Sequence, residues 1–255
     1  MKTRRPIVGG NWKMYKTPRE AINVAKALKV KLINVEDVDV VICPPFPDLV
    51  PVNGILNESN IKLGGQNMYW QDEGAFTGEV SAKMLLDAGC QYVIIGHSER
   101  RHVFGEKNSE INQKVKKALG SGLIPIFCLG ETLEERRNGL TEKVVEEQII
   151  KGLSGVEITA ANDIVVAYEP VWAIGTGETA TPEQAEEVHR FIRELLGGLF
   201  SLSLGNQIRI QYGGSVKPAN TAELMSQENI DGALVGGASL DADSFTEIIK
   251  SSASV

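Results

Sequence analysis

A carboxylate that directly follows a buried-strand pattern is the first candidate for chemistry. The run Ile164–Tyr168 is continuous, apolar and short, as strands buried on both faces of a parallel sheet are, and Glu169 follows it at once. The apolar segment Pro170–Ile174 comes next, followed by two glycines. An apolar wall disfavours the charged form of a carboxylate and makes it a stronger base. We therefore interpret Glu169 as a general base under a closing lid, with a salt-bridged strand cap as the alternative.

His97 is the second candidate, because it ends the apolar run Tyr92–Gly96 and precedes a pattern typical of a helical turn, beginning at Ser98. The positive end of a helix dipole disfavours imidazolium. We predict that His97 is neutral, even near pH 5 in the free enzyme, and donates a hydrogen bond to a substrate oxygen. A neutral His beside a carboxylate base is a typical pattern of acid–base chemistry.

Lys13 follows the first apolar run, in the segment Gly9-Gly10-Asn11-Trp12-Lys13. A lysine in a loop after a strand suits the attraction of an anionic substrate and the stabilisation of an oxyanion. Asn11 could orient either group. Glu99 is either the ion-pair partner of Lys13 or a helix-start acid, and the sequence favours neither interpretation.

Two glycine pairs follow the last two strand patterns: Gly213-Gly214, continued by Ser215, and Gly236-Gly237. Each pair alone is a weak signal, since Gly-Gly is common in turns. Together, in these positions, they match the phosphate site that many α/β barrels build from backbone N–H groups and a short helix N-terminus.

We expect no cofactor and no metal. The segment Gly175–Ala180 fits a dinucleotide-binding glycine pattern, but that pattern must follow a strand directly, and here Glu169–Ile174 intervene. The histidines, His97, His102 and His189, lack metal-binding spacing, and His189 lies in a helical pattern that indicates a structural role.

Short apolar segments alternate with helical patterns along the whole chain. The strand candidates are Ile7–Gly10, Val38–Cys43, Ile61–Gly65, Tyr92–Gly96, Leu123–Leu129, Ile164–Tyr168, Ile208–Tyr212 and Gly232–Val235. The clearest helix candidates are Arg19–Ile33, Asn108–Leu119, Glu142–Leu153, Pro182–Leu196 and Phe245–Lys250. Eight βα units in 255 residues predict an α/β fold, a closed (β/α)₈ TIM barrel, as a single domain over residues 1–255. All the candidate site residues would then meet at one end of the barrel.

The composition of the chain restricts the classes of molecule that it can bind. A net charge of −7 argues against nucleic acid and anionic membranes, while an anionic small molecule remains possible. No segment is long and apolar enough for a signal peptide or a membrane span. We therefore expect a cytoplasmic location. The cysteines Cys43, Cys90 and Cys128 are far apart and lie within or beside apolar runs, which predicts buried reduced thiols.

Several segments, in order along nearly the whole chain, resemble the triosephosphate isomerase family. They are Gly10-Asn11-Trp12-Lys13-Met14, Cys43-Pro44-Pro45-Phe46, Gly74-Ala75-Phe76-Thr77-Gly78-Glu79, Ile95–Arg101, Cys128-Leu129-Gly130-Glu131-Thr132, Ala167–Gly177, Tyr212–Ser215 and Val235–Leu240. The resemblance implies a TIM barrel that interconverts dihydroxyacetone phosphate and D-glyceraldehyde 3-phosphate in glycolysis and gluconeogenesis, without metal or organic cofactor.

The resemblance also implies a role for each site residue. Glu169 would remove a carbon-bound proton and return it to the adjacent carbon, while neutral His97 moves a proton between the substrate oxygens of the enediolate. Asn11 and Lys13 would bind substrate and stabilise the oxyanion, with Glu99 beside them. The implied phosphate donors are Gly175, Ser215, Gly236 and Gly237. Glu178 departs from the residues common at the lid hinge, which bears on lid motion rather than chemistry.

The segment Asn67–Glu79 has few charges and several large apolar residues, so it would be an unusually apolar surface on a monomer. In the resembled family this loop reaches into a second subunit near its Lys13 segment, with Thr77 at the tip. We therefore expect a homodimer, and pairing into tetramers stays open.

Two alternative functions are a barrel aldolase that forms a Schiff base and an inactive barrel that only binds phosphometabolites. The aldolase needs a lysine on a late strand, and the fifth, sixth and seventh strand patterns contain none. An inactive barrel typically loses the base or the His, and this chain has both.

Overall fold

Eight parallel strands close into a barrel in chain order in the computed structural model, which describes residues 4–173 and 180–253. The strands are β1 (Ile7–Asn11), β2 (Asp39–Cys43), β3 (Ile61–Gly65), β4 (Tyr92–Ile95), β5 (Ile124–Leu129), β6 (Val165–Tyr168), β7 (Arg209–Tyr212) and β8 (Gly232–Val235). Each begins and ends within one residue of its predicted segment. The predicted (β/α)₈ fold is confirmed.

Helices lie between the strands and surround the barrel. They are α1 (Pro18–Lys31), α2 (Leu49–Leu56), α3 (Ala82–Asp87), α4 (Ser98–His102), α5 (Asn108–Gly120), α6 (Leu133–Arg137), α7 (Thr141–Gly152), α8 (Pro182–Leu199), α9 (Leu202–Gln207), α10 (Pro218–Met225) and α11 (Ala242–Ala253). Short 3₁₀ helices span Phe46–Asp48, Ala161–Asp163, Val171–Ala173 and Gly237–Leu240.

The start of α8 at Pro182, where the predicted helix Pro182–Leu196 also begins, has a clear local cause. The Thr181 hydroxyl accepts a hydrogen bond from the Gln184 N–H (3.2 Å), and the Gln184 side chain accepts one from the Thr181 N–H (3.1 Å). This reciprocal pair satisfies two backbone donors that have no partner within a helix. Pro182 fits the first helical position, because its missing N–H is not needed there.

The strands are buried on both faces, as their continuous apolar sequences predict. One face packs inside the barrel, where Ile7, Val41, Ile126 and Val165 meet. The other face packs against the helices, for example through Val8 and Val166. Because β1 pairs with both β2 and β8, the barrel is closed, and the residues that follow all eight strands lie at the same end.

Buried ion pairs join distant parts of the chain. Asp231 lies 2.6 Å from both Arg4 and Arg193, and Arg209 contacts Asp39 on β2. Within residues 4–173 and 180–253, no helix combines the length and apolar character needed to cross a bilayer.

Candidate active site

A cavity of about 370 Å³ opens at the carboxyl ends of the strands. It brings together residues from the ends of β1, β4, β6, β7 and β8, as the barrel prediction requires. Its lining consists of Asn11, Lys13, Tyr15, His97, Glu169, Gly213, Gly214, Ser215, Val216, Lys217, Leu234, Gly236, Gly237, Ala238 and Leu240. Of the predicted site residues, only Glu99 and Gly175 are missing from this lining. Glu99 contacts Lys13 instead, and Gly175 lies outside the described residues, as do Glu178 and most of the predicted lid.

Glu169 is almost completely buried, at 2% exposure, and both of its carboxylate oxygens have partners. Oε1 lies 2.9 Å from His97 Nε2, and Oε2 accepts a hydrogen bond from the Ser98 N–H at 2.8 Å. The backbone is also held, since the Glu169 N–H donates to the Leu129 carbonyl at 2.7 Å. The carboxylate therefore has a defined position in the cavity rather than a mobile one on the surface.

Glycine residues next to Glu169 provide the space that it needs, because a side chain at these positions would clash with it. A Cβ at Gly213 would lie 2.8 Å from Glu169 Cγ, and one at Gly130, where φ is +156°, would lie 1.8 Å from the Glu169 carbonyl oxygen. A Cβ at Gly214 would lie 2.2 Å from the Tyr212 hydroxyl oxygen. The pair Gly213-Gly214 therefore permits close packing of neighbouring side chains. At Gly237, by contrast, a Cβ would meet nothing within 4 Å.

His97 contacts both Glu169 and the start of α4. Its Nδ1 accepts a hydrogen bond from the Glu99 N–H at 3.2 Å, so the ring proton is placed on Nε2, which faces Glu169. Burial acts to lower the pKa of His97, but the charge of Glu169 and its hydrogen bond act to raise it, and the net direction is upward. This upward direction opposes the expectation that free His97 stays neutral near pH 5, because helix position alone did not reveal the carboxylate 2.9 Å away.

Lys13 and Glu99 form an ion pair, with Nζ and Oε1 2.7 Å apart. Glu99 also lies in the first turn of α4. It is therefore both the ion-pair partner of Lys13 and an acid at a helix start, the two interpretations that the sequence left open. The Lys13 backbone has φ +52°, a left-handed conformation that is uncommon outside glycine. The Asn11 side chain accepts a hydrogen bond from the Lys13 N–H (3.0 Å), and the Gln66 amide donates to the Lys13 carbonyl (2.8 Å). These two contacts hold the strained turn.

Glu131 is a buried residue to which the sequence interpretation assigned no role. Its carboxylate accepts hydrogen bonds from the Tyr168 hydroxyl (3.0 Å) and from Trp172 Nε1 (3.1 Å), and it pairs with Arg136 at 3.2 Å. The Arg136 guanidinium lies 4.8 Å from the centre of the Trp172 ring. Glu131 thus connects β6 with the residues that follow Glu169. The segment Cys128–Thr132 marked the family, but nothing in its local pattern showed that this carboxylate is buried.

His189 and the cysteines have structural surroundings. His189, predicted to be structural, is buried and packs edge-on against the Tyr168 ring, with Nδ1 3.3 Å from the Asn229 carbonyl. Burial raises the pKa of the Cys90 thiol to about 12. Over the described ranges, no group of three or more His, Cys, Asp or Glu side chains could hold a metal ion.

Comparison with known proteins gives one consistent result. The family model for triosephosphate isomerase matches residues 6–252. The triosephosphate isomerase of Carboxydothermus hydrogenoformans is 59% identical over 98% of this chain and 99% of its own length. Those of Moorella thermoacetica and Endomicrobium trichonymphae are 54% and 51% identical, each over 97% of this chain and 98% of its own length. The chain belongs to the triosephosphate isomerase family.

Proposed function

We propose that Glu169, His97, Lys13 and Asn11 carry out the reaction of this family in the cavity described above. The enzyme interconverts dihydroxyacetone phosphate and D-glyceraldehyde 3-phosphate, an intramolecular aldose–ketose isomerisation that belongs to glycolysis and, in the reverse direction, to gluconeogenesis. The observation that supports the residue assignment most directly is the buried Glu169 carboxylate 2.9 Å from His97 in a substrate-sized cavity.

Glu169 is proposed as the base. It takes a proton from the substrate carbon next to the carbonyl and returns it to the neighbouring carbon, so that no net proton is gained or lost. To do so it exchanges its contact with His97 for one with the substrate carbon. Glu169 is 2% exposed, so bulk water is kept away from the carboxylate that would carry the proton.

His97 is proposed to move a proton between the two substrate oxygens of the enediolate. The Glu99 N–H occupies Nδ1, which leaves the Nε2 proton directed into the cavity. Substrate that takes the place of the Glu169 contact would receive this hydrogen bond. A neutral donor serves this step, since it gives and regains a proton without leaving a fixed charge.

Lys13 is proposed to stabilise the negative oxygen of the enediolate, with Asn11 beside it. The ion pair with Glu99 holds Nζ in one place, and a positioned cation stabilises developing charge better than a mobile one. Ser215, Gly236 and Gly237 line the same cavity and are proposed as phosphate donors, together with Gly175 on the lid. The open space at Gly237 is consistent with a ligand that approaches the backbone.

A homodimer and a cytoplasmic location belong to the same proposal. Residues 71–79 of the loop Asn67–Glu79 are exposed, and its aromatic side chains stack on one another, with Tyr69 and Phe76 4.5 Å apart. Met14, next to Lys13, is 94% exposed, which is unusual for a large apolar side chain. A second copy of the chain would cover both surfaces. The buried, unpaired thiols of Cys43, Cys90 and Cys128 suit a reducing compartment.

A coupled assay in both directions tests the function. We expect turnover of each triose phosphate without added metal or cofactor. An absence of turnover with both substrates would favour the inactive phosphometabolite-binding barrel. Trapping with borohydride distinguishes the isomerase from the aldolase alternative, because only a Schiff-base enzyme would give a covalent adduct with substrate.

A further inference from the structure

The rim of the cavity carries a second lysine that the assignment above does not use. Lys217 lines the same cavity as Lys13 and Ser215, and its side chain is exposed. In the part of the chain that the structure describes, Lys217 forms no ion pair with a carboxylate. Among the described residues, it is therefore a cation at the mouth of the site with no carboxylate partner.

The other charged groups of the cavity are already paired. Lys13 lies 2.7 Å from Glu99, and His97 lies 2.9 Å from Glu169. The chain as a whole carries a net charge of −7, which opposes the approach of a phosphate dianion. A local cation that is not already neutralised can overcome this field near the entrance, because Coulomb attraction increases as the distance falls.

The fold also fixes where Lys217 lies relative to Ser215. The Asn220 side chain accepts a hydrogen bond from the Lys217 N–H at 2.8 Å and donates one to the Ser215 carbonyl at 3.1 Å. The Thr221 hydroxyl donates to the Lys217 carbonyl at 2.7 Å. These bonds join the segment after β7 to the start of α10, so that the lysine and the serine belong to one ordered turn.

We propose that Lys217 is a second phosphate-binding cation, which attracts and holds the phosphate dianion of the substrate beside Ser215. This inference rests on the proposed function, since it assumes that the phosphate binds at the β7 and β8 side of the cavity. The ligands it favours are small phosphate monoesters. Lys217 does not contact the reacting carbons, so its contribution is to binding and capture rather than to the proton transfers.

The test compares Lys217→Met and Lys217→Glu with Lys143→Glu, a matched control. Lys143 is an exposed lysine on α7 that does not line the cavity, and its substitution gives the same change in net charge. At low ionic strength we expect the KM for D-glyceraldehyde 3-phosphate to rise about threefold for Lys217→Met and about tenfold for Lys217→Glu, with kcat changed less than about twofold. Salt should shrink these differences, because it screens exposed charges. A KM for Lys217→Glu equal to that of Lys143→Glu would overturn the inference.

Binding of glycerol 3-phosphate, a non-reacting analogue, separates this inference from the proposed function. Calorimetry should show weaker binding to Lys217→Glu than to the unsubstituted chain and to Lys143→Glu. Turnover by the unsubstituted chain together with equal analogue binding in all variants would refute the role of Lys217 alone. No turnover together with analogue binding weakened by Lys217→Glu would refute the isomerase assignment and support the phosphate contact. No turnover and no analogue binding would overturn both.

Discussion

At the scale of single residues, the site depends on how Glu169 is held. Its oxygens contact His97 and the Ser98 N–H, and both partners belong to the turn that starts α4. The proposed base and the proposed proton carrier are thus in contact in the absence of substrate. The same contact favours a proton on His97, and substrate binding must break it. Two predictions follow from this arrangement, one about the reaction and one about protonation.

We expect Glu169→Gln to lower kcat by at least ~10³-fold, because the amide keeps the shape of the side chain but cannot take a proton. Steady-state kinetics in the coupled assay measures this change. Binding of glycerol 3-phosphate should survive, since the phosphate donors are untouched, and this serves as the control for folding. A loss of less than tenfold would contradict the role of Glu169 as the base.

The pKa of His97 should fall when Glu169 is replaced by Gln. Burial and the nearby Lys13 lower this pKa, while Glu169 and, after it, Glu99 raise it, so replacing Glu169 removes the two largest raising influences, its charge and its hydrogen bond. In the unsubstituted free enzyme the imidazolium should therefore persist to a higher pH than in the variant. Nitrogen NMR of His97 between about pH 5 and pH 8 follows both titrations. An equal or higher midpoint in Glu169→Gln would show that Glu169 does not control this group.

At the scale of elements, the end of β6 is tied to the loop after β5. Glu131 accepts hydrogen bonds from Tyr168, on β6, and from Trp172, in the 3₁₀ turn after Glu169. The residues that flank the base thus share one buried carboxylate. This connection holds the start of the predicted lid segment Pro170–Ile174, as far as the structure describes it.

We expect Glu131→Gln to destabilise the protein by about 2 kcal/mol. The substitution removes the buried charge that pairs with Arg136 and leaves an amide that cannot accept all of the hydrogen bonds. Urea unfolding at matched protein concentration measures the change. Glu134→Gln is the control, since Glu134 is an exposed residue on the neighbouring helix α6 and should shift stability by under about 0.5 kcal/mol. Equal effects of the two substitutions would show that the Glu131 contacts do not stabilise the fold.

At the scale of the whole molecule, the exposed apolar surface near the site is its most unusual feature. Met14 and Tyr15 follow Lys13 directly and are 94% and 58% exposed. The loop Asn67–Glu79 is anchored at its base, where Asn67 accepts a hydrogen bond from Lys114 at 2.9 Å. Gln66, just before the loop, donates to the Lys13 carbonyl. Contacts between subunits at this loop would therefore be linked to Lys13, the proposed oxyanion-binding lysine, through the Gln66 side chain.

We expect Met14→Glu to dissociate the proposed dimer and to lower activity, because a buried unpaired carboxylate at an interface is costly. Sedimentation velocity measures the oligomeric state, and the coupled assay measures activity at the same concentrations. Val30→Glu is the matched control, since Val30 is a 73% exposed apolar residue on α1 and the charge change is identical. A fully active monomer of the unsubstituted chain would contradict the dimer proposal.

Local patterns in the sequence were sufficient to locate the strands and to identify most of the residues that line the cavity. Strands buried on both faces require continuous apolar runs, so β1 to β8 could be located to within a residue. The site residues followed from a topological rule, that the carboxyl ends of parallel strands meet at one end of a barrel. Asn11, Lys13, His97, Glu169 and Ser215 were found in this way, and all line the cavity.

Only the tertiary structure decided which of these groups touch and how deeply they are buried. The contact between Glu169 and His97, which reversed the expected shift of the His97 pKa, joins residues 72 positions apart in the chain. The burial of Glu131 and the space that Gly213 leaves for Glu169 likewise depend on neighbours from other strands. Periodicity and motifs describe each segment by itself. Distances, burial and protonation are set by the closure of the barrel, which brings segments together that share no local pattern.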